Sequence, residues 1–177
     1  EKEKQKEKEG GKGGKNVRLL GCTLWGDIKE EEMDDARSCA NDFRVVRLDS
    51  SPDAPKLAPE NTKKMHKESV QFLEKEIKKA EENGEEVVIL THHCPVYNLA
   101  CSHPNEMGPK AELKIHSFNC TDLQHLFRPP LRAWIYGHTH WFQDMEVKGV
   151  RVRSNPCGYP QEKHMEVIYD ATRRLRI

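Results

Sequence analysis

Two apolar runs that end in histidine constrain this chain most: Val87-Val88-Ile89-Leu90-Thr91-His92-His93 and Trp134-Ile135-Tyr136-Gly137-His138-Thr139-His140. Continuous Val, Ile and Leu runs bounded by loop residues suit strands buried on both faces. Open α/β sheets gather their ligands beyond the carboxyl ends of such strands. Two strands of this design therefore predict one shared site. In an extended backbone, side chains two apart share a face, so His138 and His140 are expected to converge on one cavity. Gly137 would let the chain turn sharply just before them. Neutral imidazole is the commonest side-chain metal ligand, which makes His92, His93, His138 and His140 the candidate metal ligands.

The surrounding pattern is that of an α/β domain. Val17 to Trp25 predicts a strand entering a loop around Gly26-Asp27, and Asp42 to Leu48 predicts a second short strand. Val70, Leu73, Ile77 and Ala80 recur at helical spacing, predicting a helix over Glu60 to Glu82 that Asn83-Gly84 stops. The strand Glu86 to Thr91 follows at once, which is an αβ unit packing a helix on a sheet. Leu99 to Ser117 has no period and predicts a long loop. A short helix near Asp122 to Phe127 ends at Pro129-Pro130 and leads into the strand Leu131 to Tyr136. Val150 and Val152, then Met165, Val167 and Tyr169, alternate as antiparallel strands at the sheet's end would.

Charge excludes some partners. The 29 Lys and Arg are matched by 29 Asp and Glu, so no global field recruits nucleic acid or an anionic membrane. No apolar stretch approaches the roughly 20 residues of a membrane span, and a cytoplasmic, reducing setting is expected. The six cysteines form no C-x-x-C pair, so free thiols are expected, with Cys94 lining its loop and not serving as a nucleophile. Residues 1–15 are a Lys, Glu and Gly-rich linker. Residues 16–177 form the domain. A start at glutamate suggests a cut from something longer.

The residues carry a resemblance. Gly137-His138-Thr139-His140 resembles the G-H-x-H motif of calcineurin-like metallophosphoesterases, and Thr91-His92-His93-Cys94-Pro95 resembles their histidine-before-proline motif. Leu20 to Trp25, Asn41 to Arg44 and Asn155 to Tyr159 are similar to segments of one subgroup of that superfamily. The likeness runs from about Val17 to Tyr159. It implies the C-terminal part of a four-layer α/β/β/α sandwich with mixed sheets. It also implies a two-metal site of manganese, iron or zinc that hydrolyses phosphate mono- or diesters.

On that pattern His138 and His140 bind different ions. The third ligand is His93 by its distance from the proline, or His92 by its place directly after the strand, and His93 is preferred. Asn155 and Tyr159 are candidates for the substrate-binding rim, with Trp141 and Tyr97 near them. The family's upstream Asp-x-His, Gly-Asp and Gly-Asn-His motifs do not occur in order, and Gly26-Asp27 copies the letters of one of them out of place. Asp144 follows G-H-x-H, but its spacing does not make it a bridging ligand. Three neutral imidazoles leave the repulsion between two cations uncompensated. The missing motifs are therefore expected before Glu1. Failing that, the chain is a non-catalytic module binding a partner or a single metal.

Overall fold

The computed structural model describes residues 14–97, 116–161 and 169–174. The expected linker, apart from its last two residues, the expected loop Leu99 to Ser117, apart from its last two residues, and the alternation at Met165 and Val167 lie outside them. Among the described residues five strands form one mixed sheet: β1 (Val17–Cys22), β2 (Glu86–Thr91), β3 (Leu131–Tyr136), β4 (Gln143–Val147) and β5 (Val150–Ser154), in the order β1-β2-β3-β5-β4. All neighbours are parallel except the β4–β5 hairpin. The protein is thus an α/β protein, with both histidine runs on adjacent parallel strands.

The helices are α1 (Met33–Cys39), α2 (Asp42–Val45), α3 (Pro59–Glu82) and the single turn α4 (His116–Asn119). Helix α3 starts at Pro59, whose fixed φ suits a first helical position, and the Asn61 side chain accepts the Ala58 N–H at 3.0 Å. It ends at Asn83 before Gly84, as its sequence predicts. Leu73, Ile77 and Ala80 pack with Leu20, Ile89, Trp134 and Val152 on one sheet face. Each full burial of a Leu or Ile side chain contributes roughly 1.5–3 kcal/mol. Arg18, from the same face of β1, reaches Glu76 of α3 at 2.8 Å and Glu85 at 2.7 Å.

The opposite sheet face is open at one edge. Val17, Leu19 and Leu90 alternate away from α3 and stand 48%, 63% and 37% exposed, side by side in the register that pairs Leu19 with Val88 and Gly21 with Leu90.

Three expectations change. Asp42 to Leu48 is not a strand: α2 occupies its first part and Arg47 makes an isolated bridge with Lys56. Phe43 packs against Phe118 at 5.6 Å and Val46, three residues on, is half-buried against the same cluster, while Val45 is exposed, so the anchored positions follow a helical spacing and no alternating face exists to dock on a sheet. The helix near Asp122 is a single 3-10 turn, Gln124–Leu126. The end of the sheet is a hairpin of β4 and β5 in which β5 also runs parallel to β3. Lys148 and Gly149 turn it at φ 49° and 80°, the doubly positive pattern of a tight hairpin turn.

Candidate metal centre

The loops after β2 and β3 meet. The Gly137 N–H donates to the His92 carbonyl at 3.0 Å, and the His92 and His93 N–H groups both donate to the Thr23 carbonyl at 3.2 Å, so three loops are tied together at the strand ends. Their imidazoles follow. The ring centroids of His93 and His138 are 4.1 Å apart, those of His92 and His138 4.9 Å, and those of His92 and His93 5.0 Å. Trp25 and Phe118 wall the cluster, 5.2 and 5.6 Å from His93.

The convergence does not arise as an extended backbone would produce it. Strand β3 stops at Tyr136, and His138 and His140 both take left-handed backbone, φ 63° and 46°. Non-glycine residues seldom adopt that region, and those that do cluster at functional sites. Gly137 has no positive φ, and a side chain there would meet the nearest atoms of His92 at 3.8 Å. The histidines, and not the glycine, carry the turn.

The two histidines after β2 divide the work. His93 is fully buried, its Nδ1 lies 3.3 Å from the Thr23 carbonyl, and its Nε2 has no hydrogen-bond partner. A carbonyl only accepts, so Nδ1 carries the proton and Nε2 holds a lone pair. His92 is exposed overall but turns its Nε2 to within 3.2 Å of His138 Nδ1. Two nitrogens bound to one tetrahedral ion at about 2.0–2.1 Å stand about 3.3–3.4 Å apart. The His92–His138 separation is of that size.

Electrostatics keep the rings neutral. Burial, then His138 and His92, hold His93 well below the ordinary histidine value. Burial first, then His92 and His140, lower His138 to about 3. Burial also lowers His92, opposed by the charge of Asp42 and aided by His140. A neutral imidazole is the form that binds a metal. Asp42 is the carboxylate whose field reaches this cluster, and its sequence did not mark it as a site residue.

Other expected residues are distributed around the cluster. His140 faces the exposed Tyr159 ring edge-on, centroids 4.7 Å apart. The Asn155 amide is engaged elsewhere: Nδ2 donates to the Asp170 carbonyl at 2.9 Å and Oδ1 accepts the Asp170 N–H at 3.3 Å. Asp144 is not in the cluster. It takes Arg151 Nε and Nη2 at 2.8 and 2.9 Å together with Arg153, and these guanidinium groups hold it far below the usual carboxylate range. Gly26 serves packing, since a Cβ there would sit 2.2 Å from the Ser117 carbonyl oxygen, and Asp27 is exposed.

Among the described residues no three His, Cys, Asp or Glu side chains close around a metal ion. The donors present, neutral imidazoles with one buried lone pair, are of the kind that a soft or borderline ion such as zinc takes. They lack the negative charge that two adjacent ions require.

An uncharacterized protein of Acanthamoeba polyphaga mimivirus is 25% identical over 151 residues, which cover 84% of this chain and 52% of that protein. The chain spans about half the length of the curated relative it matches. No protein-family model and no solved structure matches it.

Proposed function

We propose that this chain supplies the histidine half of a metal-dependent phosphoesterase site of the calcineurin-like kind, hydrolysing phosphate mono- or diesters with manganese, iron or zinc. One observation carries the reading most: His93 keeps an unpartnered Nε2 in full burial, beside His138 and at the joined ends of two parallel strands. An unsatisfied buried nitrogen costs about 1–3 kcal/mol. A polar site that saves nothing by its burial points to a ligand. When bound, metal ions supply Lewis acidity towards a phosphoryl oxygen and an attacking water.

The chain's own residues would hold and orient. The Thr23 carbonyl sets the His93 ring, Trp25 and Phe118 keep water from it, and His140 with Tyr159 forms the outer rim a phosphate ester would meet. The four-layer sandwich belongs to the same proposal. Its support is the sheet face of Val17, Leu19 and Leu90, whose exposed apolar groups suit burial under a second sheet.

A second reading rests on the charge balance. Among the described residues no carboxylate is in contact with the imidazoles, which suits one metal in a non-catalytic, partner-binding module. Hydrolysis of p-nitrophenyl phosphate and bis(p-nitrophenyl) phosphate separates the two. The assay takes the polypeptide of the whole reading frame, loaded in turn with manganese, iron and zinc. Metal-dependent turnover that disappears in His93→Ala and His138→Ala supports the phosphoesterase. Zinc uptake without turnover under any of the metals leaves the second reading.

A further inference from the structure

We infer that Asn119 is a positioning residue for the metal centre, holding His138 as the Nε2–H tautomer so that its Nδ1 lone pair faces the ion. This rests on the metal reading above for its purpose, though not for its geometry. Asn119 Oδ1 lies 3.0 Å from His138 Nε2, while His138 Nδ1 faces His92 Nε2. A side-chain amide oxygen has no proton to give, so the contact requires the hydrogen on Nε2. The lone pair of the neutral ring is then on Nδ1. It points at the nitrogen that stands where a second ligand to the same ion would stand.

The placement of Asn119 is independent of its own side chain. It ends the single turn α4, outside both histidine strands. Its carbonyl accepts the Cys94 N–H at 3.3 Å and the Thr121 N–H donates to the Cys94 carbonyl at 3.0 Å. This bridge fastens the segment to the loop that carries His92 and His93. The preceding residue, Phe118, packs edge-on against the His138 ring at 5.2 Å. Consecutive residues therefore hold one ring, Phe118 by a T-shaped aromatic contact and Asn119 by an acceptor at Nε2. Metal-binding histidines commonly have their second nitrogen oriented in this way, and losing the orienting partner typically costs 10–100-fold in affinity.

Long-range NMR correlations of the histidine ring nitrogens test this in the intact chain, with zinc alone as the probe. The wild type is expected to show His138 protonated at Nε2 before zinc is added, and zinc should then move the Nδ1 shift while Nε2 keeps its proton. Asn119→Leu should turn His138 into a tautomer mixture and weaken zinc binding by about 10–100-fold. Asn119→Asp, which keeps an acceptor, should restore the tautomer and most of the affinity. A wild-type His138 protonated at Nδ1 overturns the inference without any variant, and so does an unchanged tautomer in a folded Asn119→Leu. An intact Nε2–H tautomer in a chain that takes up no zinc would end the metal reading and leave the tautomer assignment standing.

Discussion

Two polar clusters sit on the same sheet and treat their groups oppositely. On β4 and β5, Asp144 meets Arg151 and Arg153, and its carboxylate is saturated by two guanidinium groups across neighbouring strands. At the ends of β2 and β3, three neutral imidazoles crowd together, touched by the field of Asp42 but by no described carboxylate at contact, and one buried nitrogen has no hydrogen-bond partner. The ion pair explains itself as structure, because opposite charges meet there even though Arg153 Nε, like His93 Nε2, is buried without a hydrogen-bond partner. An unsatisfied neutral cluster needs another reason to exist, and a bound ion supplies one.

Acid separates the two clusters most strongly. The folded state keeps His93 and His138 below the ordinary 6.5, His138 at about 3, so unfolded rings take up protons that folded ones refuse. Stability is therefore whole above pH 6.5 and falls as pH drops, by about 1.4 kcal/mol per pH unit for each neutral ring. Asp144 has the same direction in a lower window: its contribution is present above its ordinary 3.8 and lost below it. Urea midpoints between pH 7 and pH 5.5 should thus report chiefly the histidines, and His138→Gln should reduce their fall. Equal midpoints across that window would remove the distinction.

Zinc should act on one cluster only. At about a hundred times its dissociation constant, a ligand of the folded state stabilises by about 2.7 kcal/mol. That rise in melting temperature should disappear in His93→Phe and His138→Gln and persist in Asp144→Asn. Persistence in the histidine variants would locate the ion elsewhere. A somewhat smaller effect belongs to the ion pair: Asp144→Asn removes charge-assisted bonds and should cost about 1.5–3 kcal/mol without zinc, read from urea unfolding at pH 7. No loss would mean that the pair is merely a surface contact. The smallest change has the opposite sign. His93→Phe removes the orphaned nitrogen, and the metal-free chain should gain about 1 kcal/mol; a loss of several would show that the His93–Thr23 contact stabilises more than the orphan costs.

What was legible in the sequence is what depends on neighbours along the chain. Strand β2 spans Glu86–Thr91 and β3 spans Leu131–Tyr136, as their apolar runs predict, and α3 exceeds its expected start by one residue. The candidate histidines were visible because each follows such a run. Asp42 and Asn119 were not, since an acidic residue before a phenylalanine and an asparagine before a cysteine carry no local signal of a site. Strand β4 was missed because Gln143 to Val147 buries no residue fully and shows no apolar alternation.

The sequence by itself determined the parallel strand pair, the long helix that covers one face, and the histidines that end both strands. These follow from local periodicity and from the loops that bound it. Only the tertiary structure decided which ring nitrogen faces which neighbour. Those choices rest on contacts between residues 19 to 70 apart in the chain: His138 with Asn119, His138 with His92, and His93 with Thr23. A histidine's chemistry depends on the partner of each nitrogen, and distant partners arrive only when the chain is folded.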